Sequence, residues 1–195
     1  LIPSRKILQE NTEAVFSILE ENGIQNLQDL LNCLKTKSKI ETFSQKTGLE
    51  VSYLTILRRE AASYLSNPIP LRSIPGIDNI ELDCLEKAGI KNTKHLFDKA
   101  NTSLNRKQLA SSTGCPLKKI QEFFALSDLS RAYGVGPYFA RILYDMGINS
   151  IQELTTYSGE EIVKIYEKKT GKKADFTLED IQFSINLAKI LETIG

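Results

Sequence analysis

A Gly-Ile pair occurs three times, at Gly23-Ile24, Gly89-Ile90 and Gly147-Ile148, and each glycine is followed seven positions later by a leucine: Leu30, Leu96 and Leu154. A Thr-Gly pair then closes each copy, with Gly48, Gly114 and Gly171 lying 25, 25 and 24 residues beyond the first glycines. One supersecondary unit is therefore repeated three times, and its fold must bury its apolar residues either within itself or against its neighbours. The apolar positions inside each copy have helical spacing: Ile18-Leu19, Cys84-Leu85 and Ile142-Leu143 share one offset before the first glycine, and Phe43, Leu109 and Tyr166 share another before the second. Strand alternation is absent. The glycines read as stops between short helices, and the chain is expected to be all-α.

The repeat also sets the domain organisation. Asn67-Pro68-Ile69-Pro70 places two prolines within three residues and separates a first unit, 1–66, from the rest. Phe123 to Leu129 runs into the third copy without a break, so 71–195 is expected to be a fused pair, 71–128 and 129–195. Start signals fit helices: Pro116 suits a first helical position, and Thr177-Leu-Glu-Asp180 resembles a capping box with Asp in place of Glu.

The third copy carries the sharpest motif, Leu129-Ser-Arg131-Ala132-Tyr133-Gly134-Val135-Gly136-Pro137-Tyr138-Phe139-Ala140-Arg141-Ile142-Leu143, followed by Gly147-Ile148. This segment resembles the helix-hairpin-helix superfamily, in which a glycine-hydrophobic-glycine hairpin leads into a second helix whose first backbone N–H groups approach a DNA phosphate. That resemblance implies phosphate binding through Gly134, Val135 and Gly136, with Arg131 and Arg141 as the nearest charges. Orphan N–H groups and the positive end of a helix dipole form an anion site on physical grounds alone. More specifically, 91–195 resembles an uncharacterised bacterial helix-hairpin-helix family, a domain of unknown function, on Asn105-Arg106-Lys107, Leu109-Ala110, Thr113-Gly114, Ile120, Asp128-Leu129, Arg131 and Gly134-Val135-Gly136. Asp83 to Thr93 is similar, over one helix and a turn, to the C-terminal domain of the bacterial RNA polymerase alpha subunit. The whole chain thus reads as three tandem helix-hairpin-helix-like units.

The other two hairpins depart from the pattern. Asp78 stands where the second glycine of the pair would fall, and an aspartate there caps its own helix and repels phosphate. In the first copy the same place is Glu10-Asn11-Thr12. One hairpin in three is left for phosphate, and bulk charge offers little help: 25 Lys+Arg oppose 24 Asp+Glu. The balance holds in each part, 8 basic against 8 acidic in 1–66, 9 against 7 in 67–128, and 8 against 9 in 129–195. A hairpin that neutralises about two phosphates has a salt slope of about −2 and sits at the weak end of non-specific affinity. A positive rim would have to come from Arg106, Lys107, Lys118 or Lys119.

Other chemistry is sparse. Three cysteines, Cys33, Cys84 and Cys115, and the single His95 form no zinc pattern, and no catalytic set surrounds His95. Cys84 aligns with Ile18 and Ile142 and reads as a small core residue. Lys168-Lys169-Thr170-Gly171-Lys172-Lys173 fails as a P-loop and suits a helix C-terminus. Tyr133 and Tyr138 flank the hairpin, placed either to stack on a base or to pack the hairpin itself. No apolar run spans a membrane and no signal-peptide core is present, so a cytoplasmic location is expected. The chain opens on Leu1, as an excised or processed piece would. The expected function is a non-catalytic module without cofactor or metal, binding double-stranded DNA without sequence preference through Gly134, Val135, Gly136, Arg131 and Arg141. The alternative is a protein-interaction or scaffold module in which the hairpins are only turns.

Overall fold

Side-chain caps mark the helix starts. In a computed structural model that describes residues 3–192, Asn26, Thr36, Asn92, Thr102, Ser150 and Ser158 each accept the backbone N–H three positions ahead. At Ser158 the box is reciprocal, because Glu161 accepts from the Ser158 backbone, and these hydrogen bonds hold the Glu161 carboxyl below its ordinary pKa. Thr177 and Asp180 pair in the expected way: the Asp180 N–H donates to Thr177 Oγ1 at 3.1 Å. Left-handed Gly48, Gly114 and Gly171 terminate three of the helices. Pro116 differs from expectation, standing one residue before the helix as its cap, where its carbonyl accepts the Ile120 N–H at 3.1 Å.

Two compact units divide the chain, Leu1–Leu65 and Ser66–Gly195. The first contains α1 (Thr12–Glu21), α2 (Leu27–Cys33), α3 (Lys37–Thr47) and α4 (Val51–Ser63), preceded by a 3-10 turn at Pro3–Gln9. Its core gathers Leu19, Leu34, Phe43 and Leu54. The Cys33 thiol is pushed above its ordinary pKa by burial and makes a poor nucleophile.

The second unit contains α5 (Asn79–Lys87), α6 (Thr93–Ala100), α7 (Ser103–Thr113), α8 (Leu117–Leu129), α9 (Pro137–Asp145), α10 (Ile151–Leu154), α11 (Gly159–Thr170) and α12 (Leu178–Glu192). Among the described residues there is no strand. One antiparallel bridge, Pro70 to Asn92, seats the entering chain on the turn before α6. Helix α8 lies at the centre, packed by α6, α7, α9 and α10. Its Ile120, Phe123, Leu126 and Leu129 are wholly buried, and one apolar cluster extends from Leu71 to Ala188. Helices α11 and α12 meet closely at Gly159, where a Cβ would lie 2.9 Å from Leu178 Cδ1. No described helix is long and apolar enough to cross a membrane.

Cys84 corrects one expectation. It is half-buried at the edge of the core and bonded to Cys115, which ties α5 to the turn between α7 and α8 across a separation of 31 residues. Disulfides are rare in a reducing cytosol, so this pairing does not favour the cytoplasmic expectation. Closing a loop of that length is worth about 2–4 kcal/mol. Cys84→Ser is expected to lower the urea-unfolding free energy by that amount under oxidising conditions and to leave it unchanged relative to the reduced natural protein. Thiol titration of the unfolded chain should find one reactive cysteine, Cys33, before reduction and three after it.

Candidate functional site

The segment between α8 and α9 is a tight turn built on one left-handed residue. Gly134 has φ +76°, and a Cβ there would lie 3.3 Å from the Ser184 hydroxyl of α12, so both conformation and space select glycine. Val135 is buried and donates its N–H to the Ala132 carbonyl at 3.1 Å. Gly136 donates to the Gly134 carbonyl at 3.2 Å and caps α9 with ordinary negative φ and open space around it. Pro137 fills the first helical position, where no N–H is required. The N–H groups of Tyr138 and Phe139 have no acceptor among the described residues, and no side chain caps α9. In the second hairpin Asp78 does cap α5, accepting the Ile80 N–H at 3.0 Å.

The two arginines expected beside this turn are engaged elsewhere. Arg141 donates from Nε to the Pro75 carbonyl at 2.7 Å and from Nη1 to Glu122 Oε1 at 2.7 Å, with its side chain only 13% exposed. It fastens the loop before α5 to α8 and α9, and Tyr144 lies under its guanidinium at 5.5 Å. Burial, with the Glu122 carboxylate second, raises the Tyr144 pKa. Arg131 pairs with Asp128 Oδ1 at 2.8 Å and stacks over the Phe97 ring at 4.2 Å. Asp128 is itself buried and accepts the Ile151 N–H on its other oxygen at 2.9 Å, at the start of α10. Arg131 lines a different cavity, with Phe97, Lys94 and Ser130. Of the residues proposed for a positive rim, Lys119 bridges Glu81 and Glu122, and Arg106 lies over Phe124 at 4.4 Å.

The structure instead opens an aromatic cleft of about 370 Å³ beside Gly134. Tyr133, Tyr138 and Phe139 come from the hairpin, Tyr166 from α11, Phe176 from the following turn, and Phe183 from α12. The rings pack on one another: Tyr133 meets Phe183 edge-on at 5.6 Å, and Phe176 meets Phe139 and Tyr166 at 5.1 Å each. Tyr138 and Phe183 remain 72% and 44% exposed. The charged residues lining the cleft are both acidic, Asp175 and Asp180.

Residues 75–191, well over half of the chain, match a family described as Domain of unknown function (DUF4332). The chain belongs to that family. Neither a curated protein nor a solved structure matches it. The DUF4332 match begins at Pro75, the carbonyl that Arg141 holds, and reaches through α12, so the hairpin and every wall of the cleft fall inside it. The walls from α11 and α12 were not legible as a site, because Tyr166 reads as one position of the apolar repeat, aligned with Phe43 and Leu109, and nothing local marks Phe183. The available signal was the density of rings from Tyr133 to Phe183.

The arrangement predicts unequal losses at two residues of the expected phosphate site. Arg141→Ala leaves the Pro75 carbonyl without its donor and Glu122 with Lys119 alone, and should lower stability by about 2–3 kcal/mol. Gly136→Ala should cost less than about 1 kcal/mol, as a weaker cap only. Urea unfolding followed by circular dichroism measures both, and equal losses would contradict this division of roles.

Proposed function

We propose that the chain is a non-catalytic protein-interaction module that docks its partner at the cleft beside Gly134. The helix-hairpin-helix-like turn at 134–136 then serves to present Tyr138 and to seat α12, rather than to clamp a phosphate. The observation that carries this reading is the pair of exposed rings, Tyr138 and Phe183, at the mouth of an aromatic cavity whose charged lining is acidic. Exposed aromatic residues beside a concavity are the usual anchors of protein interfaces. The arginines that a phosphate site would need are held by Glu122 and Asp128.

A second reading, weak and sequence-independent DNA binding, has one observation in its favour: the unbonded N–H groups of Tyr138 and Phe139 next to the open Gly136. Backbone donors recognise phosphate without base information. With no cation lining the cleft, affinity for a duplex would lie near or beyond the weak end of about 10⁻⁴ M at physiological salt. The readings are separated by replacing Tyr138 with the photo-cross-linker p-benzoylphenylalanine in cells that make the protein. The expected product is a protein adduct of reproducible mass, absent when the cross-linker replaces the exposed Leu104 of α7. Adducts to nucleic acid alone, together with duplex binding that Gly136→Asp abolishes, would overturn it.

A further inference from the structure

We propose that the occupant of the cleft is an arginine side chain on an exposed segment of a protein partner. This rests on the docking reading above and assigns its chemistry. Six rings line the cavity, and the face of an aromatic ring carries partial negative charge that attracts an organic cation. Two carboxylates, Asp175 and Asp180, line the same space with no lysine or arginine. Asp180 spends one oxygen on Thr177, whereas Asp175 makes no hydrogen bond or ion pair among the described residues. An anion would be repelled from such a site, and a purely apolar occupant would strip water from a carboxylate without replacing it. A cation satisfies both features at once.

The cleft's lining and the protein's own packing select guanidinium over other cations. Ile142 and Ile181 also line the cavity and offer apolar surface to a methylene stem. A guanidinium is planar, stacks on rings, and forks onto a carboxylate, which a compact ammonium does less well. The second unit uses this chemistry three times internally: Arg106 over Phe124, Arg131 over Phe97, and Arg141 over Tyr144. For Arg131 and Arg141 a carboxylate, Asp128 or Glu122, holds the same guanidinium. The cleft presents the ring and carboxylate halves of that arrangement without the arginine.

The test is an amide ¹H–¹⁵N titration of the full chain with the blocked tripeptide acetyl-Gly-Arg-Gly-amide and with its citrulline counterpart, an uncharged isostere. The arginine peptide should shift the signals of Gly134, Tyr138 and Phe183, and the citrulline peptide should bind about tenfold more weakly. Asp175→Asn and Tyr138→Ala, both at exposed positions outside the core, should each weaken the arginine peptide about fivefold while leaving the rest of the spectrum in place. Equal binding of the two peptides overturns the cationic occupant and leaves the docking reading standing. Arginine amide binding as tightly as the tripeptide assigns the cleft to a small-molecule cation and overturns a protein source. A dimer of the protein alone that Tyr138→Ala abolishes in sedimentation assigns it to a second copy. No shift at the cleft with either peptide, and no adduct in the cross-linking experiment, overturns both this inference and the docking reading.

Discussion

Burial of the C-terminal end of α8 on every side is the constraint from which the second unit follows. Every residue from Ala125 to Leu129 is buried, so the last turn and a half of the helix has no solvent face, and neighbouring helices must surround it there. The same helix carries Asp128 near its end, a buried carboxylate that is tolerated because Arg131 and the Ile151 N–H satisfy both oxygens. One element thus sets the apolar centre, the start of α10, and the direction in which the chain enters the glycine turn.

Balanced charge takes on a structural meaning in this setting. Arg72 joins Asp83 and Glu86, Lys119 joins Glu81 and Glu122, and Arg131 and Arg141 close their own pairs, so these four cations hold parts of the second unit to one another. Arg131 and Arg141, the arginines nearest the glycine turn in sequence, are among them, so neither is left free beside that turn to neutralise a polyanion. The acidic residues of the cleft lie outside these pairs.

The repeat made the helices legible. Its glycines fall where α3, α7 and α11 stop, and Asp78 caps α5 as its residue type and position require. These are local effects, decided within one turn of chain. What remained hidden was long-range. The Pro75 carbonyl that captures Arg141 lies 66 residues away in sequence, and Cys115 lies 31 from Cys84. Phe183 meets Tyr133 only because α12 returns across the hairpin, a consequence of packing that no spacing rule encodes.

Helix α12 serves two masters: Phe183 and Asp180 form a wall of the cleft, while Ile181, Ile185 and Ala188 on the same helix belong to the core. Occupancy of the cleft and docking of α12 are therefore linked equilibria, since an occupant that binds only the docked helix must also resist its local opening. Amide protons along α12 would exchange with solvent more slowly in the occupied protein, and the helix would report on the cleft even at residues that no ligand touches.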